Sequence, residues 1–312
     1  MRRFLIKVIL YFLICFGLII GIYFFGALKN EPYVDAFYRR FTKHHSGSVI
    51  LGTSRAAQGI EPSVLNKSLG GDFYNFSFTM LMSSFELSYF KAIQAKTSWA
   101  DYDPTRMTII AVDPWSIREV LSLGPAEERI EDEYLYSYTS KWSYFRPNFK
   151  YLFNEKVHLS GLFATRERYV NEFGRYVIPF DTTYLINNYE KRVEEILQVY
   201  RERPRFRDSK ISEYRLNSLV QIIDYCSQFG EVYLLRIPVS LEMRNLENEL
   251  HAGFDDLMDE ICANHKIDYL NFIQESANYQ TVDGNHIWNG DVERFSRELS
   301  KQIMLKRNSS NF

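Results

Sequence analysis

Three side chains carry the functional groups that nucleophilic acyl chemistry requires. Ser54 follows the apolar run Val49-Ile50-Leu51-Gly52-Thr53, and an aspartate and a histidine lie three positions apart in Asp283-Gly284-Asn285-His286. A serine hydroxyl is a weak nucleophile until a base takes its proton, and a carboxylate orients that base and stabilises its charged form. Taken singly, each residue has a plainer reading: Ser54 as a helix N-cap, Asp283-Gly284 as a turn, His286 as a surface residue. Taken together, they make a serine, base and acid set, provided the fold joins segments from opposite ends of the sequence.

Short apolar runs alternate with amphipathic stretches, and this rhythm supplies the elements that would join them. Strands are expected at Ser48 to Thr53, Phe73 to Phe78, Met107 to Asp113, Glu231 to Pro238 and Ile267 to Phe272, from their length and their Val/Ile/Leu/Tyr/Phe content. Helices are expected at Ser83 to Lys96, Ser212 to Phe229, Phe254 to His265 and Gly290 to Leu305. Strand–helix alternation implies a mostly parallel sheet covered on both faces. The expected fold is therefore α/β, a flavodoxin-like three-layer sandwich with a mostly parallel five-stranded sheet. Ser54 then falls just past the C-terminal end of the first strand, the edge at which open parallel sheets build sites. Backbone N–H groups at a turn into a helix there can also stabilise an oxyanion.

The stretch from about 123 to 208 breaks the rhythm with the acidic run Glu127 to Glu133, many aromatic residues and a helical Asn188 to Tyr200. It reads as an inserted helical and aromatic region lying over the sheet, a lid or substrate platform. At the other end, Phe4 to Leu28 is apolar apart from Lys7, and about 20 such residues span a bilayer as a helix. Arg2, Arg3 and Lys7 at its start place the N-terminus in the cytoplasm by the positive-inside rule. An uncleaved anchor is favoured over a signal peptide, because the run is long and Phe25 and Ala27 make a poor cleavage site. The division expected is a cytoplasmic tip (1–3), an anchor (4–28), a solvated linker (29–47) that includes His44-His45, an α/β domain (48–306) and a polar tail (307–312).

With 312 residues the chain has room for a sizeable core, and its net charge of −2 argues against nucleic acid, which favours a concentrated basic surface. No spacing calls for a metal, and no glycine-rich phosphate loop calls for a nucleotide cofactor. Cys226 and Cys262 read as separate buried thiols, with a single disulfide as the alternative.

Gly52-Thr53-Ser54-Arg55 resembles the nucleophile block of SGNH/GDSL hydrolases, and Asp283-Gly284-Asn285-His286 resembles their terminal Asp-x-x-His block. The nearer likeness is to membrane-anchored extracytoplasmic proteins of bacteria related to D-alanyl transfer and polysaccharide O-acetylation. It covers about Ser48 to Lys306, with the central insertion unmatched. It implies Ser54 as nucleophile, His286 as general base and Asp283 as its orienting partner. It further implies a domain held outside the inner membrane, in the periplasm, acting on acylated glycan or another envelope ester.

In that family a glycine after the second strand and an asparagine after the third complete the oxyanion hole. Here the second strand runs on as Asn75-Phe76-Ser77-Phe78-Thr79, and the third ends Ala111-Val112-Asp113-Pro114-Trp115. The Ser77 N–H is one substitute donor, and Asn75 or Arg55 is another, since an ionised Asp113 only accepts hydrogen bonds. The alternative is a catalytically inactive binding or assembly module with a membrane-protein partner in the envelope. Arg236, in the fourth strand, either pairs with Asp113 or Glu242 or holds an anionic substrate group. Trp115 and Trp288 either pack in the core or line a sugar or acyl pocket.

Overall fold

A computed structural model describes residues 1–29, 40, 45–119, 168–180, 182–208 and 210–309. The acidic run Glu127 to Glu133, most of the linker and the last tail residues lie outside the described residues.

Five strands form one sheet: β1 (Ser48–Leu51), β2 (Phe73–Asn75), β3 (Met107–Ala111), β6 (Glu231–Arg236) and β7 (Asp268–Asn271). A separate two-stranded antiparallel hairpin joins β4 (Tyr169–Val170) to β5 (Tyr176–Val177). The order in the sheet is β2-β1-β3-β6-β7, and every neighbouring pair is parallel. Parallel strands need crossovers, which cover both faces and leave the strands buried on both sides. The period-two alternation of a strand then divides its side chains between two cores.

Val49, Leu51, Ile110 and Leu234 face one core, packed with residues of α5 (Leu87–Thr97), α8 (Glu213–Ser227) and α10 (Phe254–His265). Ile50, Ile109 and Leu235 face the other, packed against α2 (Ser54–Gly59), α3 (Pro62–Leu69) and α11 (Asn289–Ser309). The architecture is thus α/β, three layers around a parallel five-stranded sheet, as the sequence rhythm predicts. A third cluster joins Val193 and Leu197 of α6 (Thr182–Glu202) to Met243 and Leu246 of α9 (Leu241–Leu250), with Trp115 and Val239 between them. Trp115 and Val239 follow β3 and β6, so the described helical part of the insertion packs at the C-terminal end of the sheet.

All five predicted strands are present, but shorter than expected. β1 stops at Leu51 because Gly52 turns the chain at φ +139°, a conformation that side chains disfavour. A Cβ at that position would lie 2.7 Å from the Ala111 carbonyl oxygen. The helix expected from Ser83 to Lys96 is two, α4 (Met80–Ser83) and α5, separated by extended backbone at Glu86.

The first helix, α1 (Arg2–Lys29), is long and apolar enough over Arg2–Gly21 to cross a membrane. Its described apolar side chains, Phe4, Leu10 and Phe12 among them, are exposed. Two described residues of the juncture after it, Arg40 and His45, are buried rather than solvated. Arg40 is fully buried, its Nε donating to the Gly174 carbonyl at 2.6 Å and its Nη1 to the Ser77 carbonyl. His45 is buried too, with Nε2 2.8 Å from the Asp72 carbonyl and 2.9 Å from that of Ser48. Burial lowers the pKa of its ring. These contacts fasten the approach to β1 onto the domain. Cys226 and Cys262 are free thiols, and burial pushes each up to about 12.

Candidate active site

The loop out of β1 is dictated by Gly52. The turn there brings Thr53 to the N-cap of α2, but Thr53 makes no side-chain cap. Its hydroxyl instead donates to Asp113 Oδ2 at 3.1 Å, across the loops that follow β1 and β3. Ser54 opens α2, half-buried, with its hydroxyl turned toward the last loop of the domain.

That loop spans the turn between Thr281 and Ile287, closed by Val282 N–H donating to the His286 carbonyl at 2.8 Å. Gly284 takes φ +81° at its tip. The Asp283 carboxylate accepts from the backbone N–H groups of Asn285 (3.0 Å) and His286 (2.9 Å). It also faces the imidazole, with Nδ1 of His286 2.9 Å from Oδ2. Burial opposes its charge, but the His286 ring and these three donors hold its carboxyl down to about 2. A carboxylate only accepts, so Nδ1 carries the proton between them and Nε2 is left as an acceptor. Nε2 lies 2.9 Å from Ser54 Oγ. Ser54, His286 and Asp283 therefore form one continuous hydrogen-bonded relay.

The remaining residues singled out from the sequence sit elsewhere. Asp113 is buried and caps the 3-10 turn Pro114–Ile117, its Oδ1 accepting from Ser116 N–H at 3.0 Å and its Oδ2 from Thr53. Burial raises its pKa. Both of its oxygens are engaged in structure, so the expected donor position is a cap. Asn75 is equally engaged, donating to the Ala56 carbonyl at 2.8 Å and accepting from Ser77 N–H at 3.2 Å. That bond uses the backbone donor expected at Ser77.

Arg55 and Arg236 belong to a buried ionic network that sequence reading missed. Glu247, on α9 and fully buried, accepts from Arg55 Nη2 (2.5 Å), Trp115 Nε1 (2.8 Å) and Arg236 Nη2 (3.0 Å). Arg236 completes its pairing with Asp255 rather than with Asp113 or Glu242. Burial opposes the charges, but the two guanidiniums hold Glu247 below the usual carboxylate range and Glu247 in turn raises Arg55. Arg55 also forks onto Asn285 Oδ1, from Nε at 2.9 Å and Nη2 at 2.6 Å. The residue after the serine thus grips the residue before the histidine. With its oxygen held there, the Asn285 amide nitrogen lies 3.5 Å from His286 Nε2. The Glu247 signal in the sequence is faint: one of three glutamates in a helix that the apolar pattern does not mark.

Trp115 is packing, in contact with Tyr200 (4.3 Å between centroids) and His251 (4.7 Å). Trp288 lines a cavity of about 460 Å3 beside the Asp283 loop, together with Tyr189, Tyr279, Glu242 and Gln280. Ser54 and His286 are not among its lining residues. Among the described residues no group of three His, Cys, Asp or Glu side chains is arranged to hold a metal. Sequence profiles of known families, curated proteins and solved structures were compared with the chain, and none matches.

Proposed function

We propose that this chain is a serine esterase or O-acyltransferase of SGNH/GDSL type, anchored in the membrane by α1. The relay from Ser54 through His286 to a carboxylate held ionised is the observation that carries this reading. In the reaction, Ser54 Oγ attacks an ester carbonyl carbon while its proton passes to His286 Nε2. Collapse of the intermediate expels the alcohol, which takes that proton, and leaves an acyl group on Ser54. Water or an acceptor hydroxyl then removes the acyl group by the same route in reverse. Asp283 stays ionised throughout and stabilises the imidazolium.

The strand order, with its switch point between β1 and β3, supports a flavodoxin-like arrangement with the site at the carboxyl ends of the strands. The positive residues at the start of α1 support a single-pass inner-membrane topology, with the N-terminus in the cytoplasm and the domain in the periplasm. The substrate class is an acylated envelope or exported glycan. The cavity beside Trp288 is lined by Tyr189, Tyr279 and Trp288 together with the polar Ser240, Glu242, Gln280 and Thr281, a mixture of aromatic and polar side chains that suits a saccharide.

The full chain in detergent tests the reading. It is expected to hydrolyse p-nitrophenyl acetate and to label with a fluorophosphonate, and Ser54→Ala is expected to abolish both. Labelling that survives the substitution excludes Ser54 as the nucleophile. One observation favours a second reading, an inactive envelope assembly module: Asp113 is a cap where an oxyanion donor is expected. That reading predicts no labelling of the wild type and a membrane partner captured by cross-linking.

A further inference from the structure

Among the described residues Asp113, Asn75 and the Ser77 N–H are engaged in structure, which leaves the donor for an oxyanion beside Ser54 to be found elsewhere. We propose that Asn285 is that donor and a catalytic residue of the site, an assignment that rests on the serine-esterase reading above.

Three observations converge on it. First, the amide has one orientation. Arg55 directs both Nε and Nη2 at Oδ1, so the NH2 end is turned away from Arg55. Second, Nδ2 and Ser54 Oγ lie within 3.5 and 2.9 Å of the same ring nitrogen, His286 Nε2. The amide therefore borders the atom that attacks. Third, Asn285 is buried, and the ring nitrogen at the outer limit of hydrogen bonding is the partner that Nδ2 has among the described residues. Two N–H groups sharing so distant an acceptor are poorly satisfied in the resting site.

The reaction supplies what the amide lacks. When Ser54 attacks, its proton moves to Nε2, and the lone pair that Asn285 faced is consumed. At the same moment the carbonyl π electrons move to oxygen and create an anion next to the serine. Nδ2–H then passes from a nitrogen that no longer accepts to an oxygen that accepts strongly. The donation strengthens only as charge develops, which is the condition for lowering the barrier rather than tightening ground-state binding. Arg55 and Glu247 act behind it as positioning residues that fix the amide's orientation.

The full chain, assayed with p-nitrophenyl acetate across pH, tests the assignment with Asn285→Ala and the near-isosteric Asn285→Asp. Loss of an oxyanion donor lowers kcat by about 100- to 1,000-fold. Here KM and the apparent pKa of the acidic limb, on which the general base titrates, are expected to stay at their wild-type values in Asn285→Ala. Asn285→Asp, which replaces the donor by an acceptor, is expected to be at least as impaired. Circular dichroism reports whether each variant is folded, and Asn285→Asp stands in should the alanine variant fail to fold. Wild-type kcat in either folded variant overturns the proposal and leaves the relay standing. In Asn285→Ala, a loss accompanied by a shifted pKa also overturns it, because the amide would then act only through the imidazole. An inert wild type that no fluorophosphonate labels overturns both the proposal and the reading beneath it.

Discussion

Glu247 is the residue on which the interior of the site is strung, and Glu247→Ala is its sharpest test. The carboxylate holds Arg55 at 2.5 Å and Arg236 at 3.0 Å, with side chains almost wholly excluded from solvent. Removing one partner of a buried ion pair costs about 3–5 kcal/mol, because a charge is left in a medium that cannot solvate it. Arg236 keeps Asp255, whereas among the described residues Arg55 keeps the Asn285 carbonyl oxygen. The cost therefore falls at the lower end, about 3 kcal/mol. A domain of this size loses about 2–4 °C of melting temperature per kcal/mol, so the midpoint should drop by about 6–12 °C. Thermal unfolding followed by circular dichroism measures it directly. The combined variant Arg55→Met, Glu247→Leu, Arg236→Met removes all three charges and should recover much of the loss, since apolar replacement of buried ion pairs is often neutral or stabilising. The esterase activity proposed above should nonetheless stay low in it, because Asn285 no longer has its guanidinium. A Glu247→Ala protein that melts within about 2 °C of wild type refutes the network as the structural tie between the two halves of the site.

Gly52→Ala should destabilise the domain by about 2 kcal/mol or more, since φ is +139° and the new methyl would sit 2.7 Å from the Ala111 carbonyl oxygen. It should also slow fluorophosphonate labelling, because Ser54 lies two residues on; unchanged stability in chemical denaturation would contradict this account. Asp283 gives a pH signature. Its folded pKa, about 2, lies below the ordinary carboxylate value, so the unfolded state binds more protons in between. Its stabilisation is present above about pH 4 and lost as pH falls toward 2. The stability difference between wild type and Asp283→Asn should shrink over that interval, and a difference that persists at pH 2 would rule the linkage out.

The parallel sheet was legible because its strands are continuous apolar runs with period-two partition, as in Val49-Ile50-Leu51. The relay was legible because Ser54 directly follows an apolar strand and its glycine turn, and Asp283 and His286 share one compact polar loop, so that a structural role explains each singly but not all jointly. The rest was hidden for physical reasons. Asp113 and Asn75 announce hydrogen-bonding capacity but not which neighbour claims it, and that depends on loop geometry no spacing records. Arg40 and His45 look solvated by composition, yet backbone carbonyls of distant segments satisfy them in the interior. Glu247 sits in α9, which lies in a mainly polar stretch, so neither the helix nor its one inward carboxylate stood out.

The grip of Arg55 on Asn285 joins positions 230 residues apart. Contacts of such separation form late, after the intervening chain has been ordered. During synthesis, the alcohol of Ser54 emerges long before the imidazole of His286. Until the final crossover docks, the nascent polypeptide holds a serine without its base.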